Sequence, residues 1–343
     1  MTDVFELTRS LVDIESTTGN EARAASYLFD RLTVIAGASG GRVERIDVEG
    51  GRFDVLAIWG KPIVTLSTHI DTVPPFYPSR EDETHIWGRG ACDAKGIIAA
   101  MVVSAEKLLA TGVRNFALLF VIGEERNSAG AKAAARTPRG SKYLVNGEPT
   151  ENKLALGSKG VLRYEVIASG RMAHSAYPEL GQSAIESLLD VLELFRKVPL
   201  PADSVLGAST MNIGTISGGR APNVIPDAAR AEVMIRLVSD PARLRQAFTA
   251  AAAKVDRIVL NEVLCIPAVR LERVPGYPTT IVAFASDVPE LSPAWGQPLM
   301  FGPGSIHVAH TDGERVSKQE LLDAVDAYAN IVRYLISEET AKV

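Results

Sequence analysis

The 343-residue chain carries five histidines, at positions 69, 85, 174, 307 and 310, and two cysteines, Cys92 and Cys265. The residue types that could do chemistry collect where apolar runs end. PIVTLSTHIDTVPP (62–75) places His69 and Asp71 two residues apart, so in an extended chain both side chains point to one face. That spacing suits a metal-ligating imidazole backed by a carboxylate, or a polar loop. GRGACDAKG (88–96) sets Asp93 among glycines, as a helix N-cap or as a carboxylate held at a fixed point by a tight backbone. LLFVIGEE (118–125) ends a buried run on Glu124 and Glu125, adjacent acids that repel each other and resist burial unless a cation or solvent offsets the cost. Glu148 in NGEPT ends a further run, and GPGSIHVAHTDGERV (302–316) offers His310, with His307 as the competing choice. A set of two His, one Asp and two Glu suits a pair of zinc ions and needs neither cysteine. One carboxylate can bridge two ions about 3.5–4 Å apart, a clamp for hydrolysis. The spare Glu of the adjacent pair is then free to be a general base.

These residues converge only if the elements that present them end on one edge, the place where open α/β sheets hold ligands. RVERIDV, FDVLAIWG and PIVTLSTHID read as strands. NFALLFVIGEE is continuously apolar, as in a strand buried on both faces, and KYLVNGEP is another strand with a polar end. AKGIIAAMVVSAEKLLATG predicts a helix ending at Gly112. Thr18 to Glu21 fits a T-x-x-E capping box for a helix over ARAASYLFDRLTVIAG, closed by Gly37. Strands alternating with long helices predict an α/β layered fold. Near residue 160 the pattern opens into half-exposed alternation, and a β-α-β-β-α-β order follows from GVLRYEVIASG to RIVLNEVLCIPAVRL, as in a small split-βαβ insertion. TTIVAFASDVPEL and PLMFGPGS resume the apolar pattern. The last helix is expected to start at Ser317, with Glu320 completing a second capping box. Its apolar stripe is Leu321, Leu322, Val325, Tyr328, Ile331, Val332 and Leu335.

Composition bounds the rest. Hydrophobic residues make up 46% and charged residues 22%, with a formal net charge of −5; the pI is near 5.7 and the mean hydropathy +0.09. This is the profile of a soluble globular protein of two domains or one large one, and not that of a nucleic-acid binder, which would show a basic face. Two cysteines make no disulfide framework. MTDVFELTRSLVDIES does not read as a signal peptide, and no run approaches the ~18 apolar residues of a membrane span, so no membrane association is expected and a cytoplasmic location is.

STHIDTVPP, WGRGACDAKGIIAAM, VIGEERNSAGA, GEPT, GRMAHSAYPELGQSAI, GTISGGRAPNVIPDAA and FGPGSIHVAHTDGERV follow the order found in the M20 family of zinc-dependent peptidases and deacylases. Within it the chain is most similar to acetylornithine deacetylase and succinyl-diaminopimelate desuccinylase. The resemblance implies an α/β catalytic domain (1–160 plus 272–343) with a mixed, mainly parallel central sheet flanked by helices. It also implies an inserted α+β, ferredoxin-like lid or dimerisation domain (161–271). It implies two zinc ions per subunit, with cobalt or manganese as alternatives: His69 and Glu148 on one, Glu125 and His310 on the other, Asp93 bridging. Glu124 would be the general base, and Asp71 would orient His69 by reaching the ring nitrogen that faces away from the metal. His174, in AHSAYP, would stabilise the oxyanion in the partner subunit of a homodimer built through the lid. His310 is favoured over His307 because Glu314 follows it at i+4. Asn223 and Arg236, and less directly Lys159 and Ser286, would contact the substrate carboxylate. The implied activity is hydrolysis of the C–N bond of an N-acyl amino acid by metal-activated water, as in amino-acid biosynthesis. The alternatives are a metallo-dipeptidase or aminopeptidase of the same family, and a non-catalytic metal-binding protein. Lid closure is expected to accompany turnover. The chain departs from the family pattern at Ala94, Arg126 and Met234, none of them a ligand position.

Overall fold

A computed structural model describes residues 2–342. The chain forms two compact units. One comprises the residues up to Leu156, Arg270–Thr280 and the residues from Ser286 on; the other comprises Gly157–Val269 and Ile281–Ala285.

The first unit is built on a six-stranded mixed sheet, in the order Arg42–Asp47, Phe53–Trp59, Phe116–Val121, Val64–His69, Tyr143–Asn146, Gln297–Met300. The last four strands of that order run parallel to one another, and the first two are antiparallel additions at one side. The central strands are buried along their whole length, as their unbroken apolar runs require. Alternation divides their side chains between two cores. Val55, Ala57, Trp59, Leu66, Phe116, Leu118 and Phe120 face the helices Val4–Val12, Ala22–Ser39, Lys95–Ala110 and Lys318–Ala341. Leu56, Ile58, Ala117, Leu119 and Leu144 face the other way, toward Ala129–Ala135 and Val288–Trp295.

Several local expectations change. Thr18 and Glu21 do not form a capping box. The Thr18 hydroxyl donates to Asp71, and Glu21 takes a buried ion pair with Arg52 at 3.0 Å. Gly37 lies inside its helix, which runs to Ser39 and ends on Gly40 in the left-handed region (φ 74°). Ser317 does cap the last helix, accepting from the Glu320 amide at 3.4 Å. The Glu320 carboxylate, however, accepts from the Gly304 amide and does not reach back to Ser317. Leu322 is exposed, and Ala324 and Ala329 fill the buried stripe in its place. The segment SDVPEL opens a helix, Val288–Trp295, with prolines at its start and inside it.

The second unit is a four-stranded antiparallel sheet in the order Thr210–Gly218, Ala228–Leu237, Gly160–Ser169, Ile258–Ile266. The helices Ala184–Arg196 and Ala242–Ala252 cover one face. Leu162, Tyr164, Val166, Val233 and Ile235 pack there against Leu188, Leu192, Phe195 and Phe248. The first strand of the unit lies between the third and the fourth, which is the split-βαβ arrangement.

Candidate metal centre

Because four neighbouring strands run parallel, the loops at their carboxyl ends emerge on one edge of the first unit. His69 is the last residue of Val64–His69, and Glu124 and Glu125 follow Phe116–Val121 after a Gly123 turn. Glu148 lies two residues past Tyr143–Asn146, and the chain leaving Gln297–Met300 leads to His310. Asp93 precedes the helix Lys95–Ala110, which packs on the sheet. All five expected ligands meet. His69, Asp93 and Glu148 form one group whose ligand atoms lie within 4.8 Å of one another, and Asp93, Glu125 and His310 form a second. Asp93 belongs to both: its Oδ1 is 2.9 Å from His69 Nε2, and its Oδ2 is 3.4 Å from His310 Nε2. His310 Nε2 is also 2.9 Å from Glu125 Oε1.

The electrostatics are those of a site short of positive charge. Burial pushes Glu124 and Glu148 well above the usual carboxylate range, with neighbouring negative charges adding to it. Glu125 is raised by burial as well. Asp93 goes the other way. Burial would raise it, but its hydrogen bonds to His310 and His69 hold it well below its ordinary value. His310 is pushed up to about 10 by the Asp93 and Glu125 carboxylates. Burial disfavours the charged ring of His69, yet Asp93, Glu124 and Asp71 carry it well above the ordinary histidine range. The donor set, two imidazoles and two carboxylates around one shared carboxylate, fits a pair of divalent ions. The outer nitrogen of His69 supports the fit: Nδ1 is 3.0 Å from the main-chain oxygen of Asp71. That contact places a proton on Nδ1 and turns the Nε2 lone pair inward.

This corrects the expected role of the Asp71 side chain. Its carboxylate is 3.7 Å from His69 Nδ1, beyond hydrogen-bond reach. It accepts instead from the Glu124 amide at 3.0 Å, the Glu125 amide at 3.2 Å and the Thr18 hydroxyl at 2.8 Å. Asp71 thus orients His69 with its backbone and holds the Glu124–Glu125 turn with its side chain.

The remaining candidates are distributed elsewhere. In the second unit, His174 pairs with Val224 in a short antiparallel bridge, and Ser175 donates its amide to the Asn223 carbonyl, so His174 and Asn223 are neighbours. The Ala176 amide donates to His174 Nδ1 at 3.2 Å. Arg236 lies opposite Val161 near one end of the sheet. It is half-buried and makes no ion pair among the described residues; burial lowers its pKa. The Lys159 ammonium is engaged by the Ala208 carbonyl at 2.6 Å. In the first unit, Ser286 is buried and accepts from the Val288 amide at 3.3 Å, which makes it a helix-end partner rather than a surface group. Sequence reasoning missed Asn146, whose side-chain amide donates to Glu148 Oε1 at 3.1 Å. Its place at the strand end two residues before Glu148 was the available signal. Thr18 carried no such signal.

Residues 65–334 match the model of peptidase family M20/M25/M40. A peptidase M20 domain-containing protein of Schizosaccharomyces pombe is 37% identical over 97% of this chain and 84% of its own length. A probable carboxypeptidase of Aspergillus clavatus is 37% identical over 97% of this chain and 82% of its own. Among solved structures, the M20 family metallo-carboxypeptidase Sso-CP2 from Sulfolobus solfataricus superposes with a TM-score of 0.78 at 15% identity, covering 98% of this chain and 100% of that one. At that identity the likeness speaks for the fold alone.

Proposed function

The chain belongs to peptidase family M20/M25/M40, and from that premise we propose that it is a metal-dependent carboxypeptidase of short peptides. Hydrolysis of a C–N bond follows from the family; the metal, the substrate and the residue roles are our reading. The observation that carries it is the shared carboxylate, Asp93, with an imidazole on each of its oxygens. His69 and Glu148 would hold one divalent cation and Glu125 and His310 a second; the chemistry such a pair supplies is polarisation of the scissile carbonyl and acidification of a water. Zinc suits these donors best. Glu124 is the base. Burial and the charge of Glu148 raise its proton affinity toward that of a group able to take a proton from water and pass it to the leaving amine.

Deacylation of an N-acyl amino acid, the activity first expected from the motifs, gives way here to peptide cleavage. Relatives of this chain at 37% and 33% identity are named as probable carboxypeptidases. Arg236, half-buried without an anionic partner among the described residues, supports recognition of a free C-terminal carboxylate. We read the second unit as the dimerising part. Its edge strand Thr210–Gly218 leaves Ile216 exposed, and Leu189 is exposed on the helix Ala184–Arg196.

The test is a substrate panel with and without added zinc: di- and tripeptides, the same peptides amidated at the C-terminus, and N-acetyl, N-succinyl and N-formyl amino acids. Release of the C-terminal residue from free-carboxylate peptides is expected, with amidated peptides resistant and activity abolished by a chelator. A higher kcat/KM on any N-acyl amino acid would restore the deacylase reading.

A further inference from the structure

Glu314 plays no part in the chemistry above, yet its surroundings are those of a built joint. The strand Arg315–Ser317 pairs antiparallel with His85–Trp87. That pairing lays Glu314 beside the loop from Gly88 to Asp93, and the Gly88 amide donates to the Glu314 carbonyl at 3.1 Å. The Glu314 side chain is buried. Its Oε1 accepts from three amides of that one loop: Gly90 at 2.8 Å, Asp93 at 3.2 Å and Cys92 at 3.3 Å. Its Oε2 accepts from Arg89 Nη1 at 2.5 Å, and Arg89, itself buried, also donates to the Pro75 carbonyl. The loop has little slack. The Lys95 amide closes onto the Gly90 carbonyl. Gly90 has φ +87°, and a Cβ there would lie 2.8 Å from the Thr72 methyl and 2.9 Å from Lys95 Cδ.

The same residue is four positions from His310. One buried carboxylate therefore ties the loop that presents Asp93 to the loop that presents His310. We propose that Glu314 is a positioning residue: by gathering the amides of the Asp93 loop it holds Asp93 and His310 at the spacing where they can share a cation, and so sets metal affinity. The inference rests on the metal-centre reading above. The acceptor oxygen matters more than the charge, because Oε1 alone serves the amides while Oε2 serves Arg89.

Three variants separate these roles, by zinc titration of metal-stripped protein with melting temperature recorded in parallel. Glu314→Ala is expected to weaken zinc binding about 10–100-fold, the usual cost of losing a group that orients ligands, with the larger loss in the site that includes His310. Glu314→Gln keeps an acceptor oxygen and should recover most of that affinity. Arg89→Met removes the ion pair, should lower the melting temperature, and should leave zinc affinity close to wild type. At zinc levels that saturate both sites, Glu314→Ala should regain hydrolysis. Wild-type zinc affinity in Glu314→Ala would overturn the inference. So would a Glu314→Gln as weak as Glu314→Ala. If Glu314→Ala does not fold, Glu314→Gln and Arg89→Met still decide it: both must bind zinc nearly as wild type does, and loss in either overturns the inference. Wild-type protein that takes up no zinc would instead overturn the metal-centre reading, and this one with it.

Discussion

Replacing Asp71 by Asn puts the corrected role of its side chain to a quantitative test. The carboxylate is fully buried and satisfies three donors, two through Oδ2 and one through Oδ1. Asn offers one acceptor oxygen. If that oxygen keeps the Glu124 amide, the new N–H₂ faces the Glu125 amide, donor against donor, while Thr18 can rotate its hydroxyl to accept. One buried amide is then left without a partner, at a cost of about 1–3 kcal/mol, and the Glu124–Glu125 turn is where that strain is relieved. His69 should keep its orientation, because its Nδ1 is held by the Asp71 main chain at 3.0 Å, which the substitution leaves in place, although it loses the Asp71 charge that helps raise its pKa. The expected result is therefore asymmetric. Zinc affinity should fall roughly 10-fold or more, about 1.4 kcal/mol per tenfold, in the site that uses Glu125, and stay near wild type in the site that uses His69 and Glu148. The assay is zinc titration of Asp71→Asn in two backgrounds, His310→Ala and Glu148→Ala, each leaving one site intact. Turnover should drop further than affinity, since Glu124 shares the loosened turn and a misplacement of ~1 Å can cost about 10²-fold in rate. Loss confined to the His69–Glu148 site would refute this reasoning and return Asp71 to the role of ring holder.

Glu124→Gln should retain its zinc and lose about 10²–10⁴-fold in kcat, the usual contribution of a positioned base; metal analysis beside a single-turnover assay reads both, and surviving turnover removes the assignment. Arg236→Met should raise KM for peptides with a free C-terminus by roughly 10–100-fold, the worth of a hydrogen bond to a charged group, with zinc content unchanged; an unaltered KM assigns the carboxylate to another group. Asp287 supplies a pH test. It is buried, and among the described residues no donor meets either carboxylate oxygen with hydrogen-bond geometry. Burial raises its pKa to about 7, an effect the nearby Ser128 offsets only in part. Its unfolded value is about 3.9, so between those values the folded state holds a proton that the unfolded state has lost. Stability from this group is thus full below pH 4 and is lost as pH rises through 7, by up to about 4 kcal/mol. Asp287→Asn in metal-stripped protein should gain stability relative to wild type between pH 5 and pH 8 in urea unfolding; a pH-independent difference argues against it.

The strand ends that carry His69, Glu124, Glu125 and Glu148 were legible because a buried parallel strand announces itself by an unbroken apolar run, and the polar residue that stops the run lies on the functional edge. Helix Val288–Trp295 was not legible. A short apolar run does not distinguish strand from helix by period, and two prolines disguise it further. Thr18-x-x-Glu21 failed because the capping pattern is local, whereas both side chains are claimed by distant partners, Asp71 and Arg52. Asp71 failed for the same reason. An i, i+2 spacing places two side chains on one face only while the chain stays extended, and it says nothing of the Glu124 amide 53 residues away. Glu314 stands out in the sequence only as a spacing partner of His310, whereas the loop it holds lies more than 200 residues earlier.

Burial sorts these acids where residue type does not. The interior of the first unit holds Glu21, paired with Arg52, and Asp54, Asp71, Asp93, Glu148, Asp287 and Glu314 as buried carboxyl groups, with the partly covered Glu124 and Glu125 beside them. Asp71 and Glu314 spend their oxygens on backbone amides, two for the first and three for the second, plus a hydroxyl or a guanidinium. Such acids have donors on both oxygens and hold the frame. Glu124 has no amide to satisfy its carboxylate among the described residues, and Glu148 has one side-chain donor, Asn146; burial drives both toward the protonated form. Both are short of donors on protein contacts alone, a deficit that a proton or a cation would fill. Asp93 stands between the classes, its backbone amide held by Glu314 and its two oxygens turned to His69 and His310. The amide-fed carboxylates fix the loops; among the underfed ones, Glu124 and Glu148 are those to which the proposed function gives the reacting proton and a cation, whereas Asp54 and Asp287 lie outside both ligand groups. Removing an acid of the first kind should therefore loosen the ligands and the base that it positions, whereas removing Glu124 should stop the reaction with the ions in place.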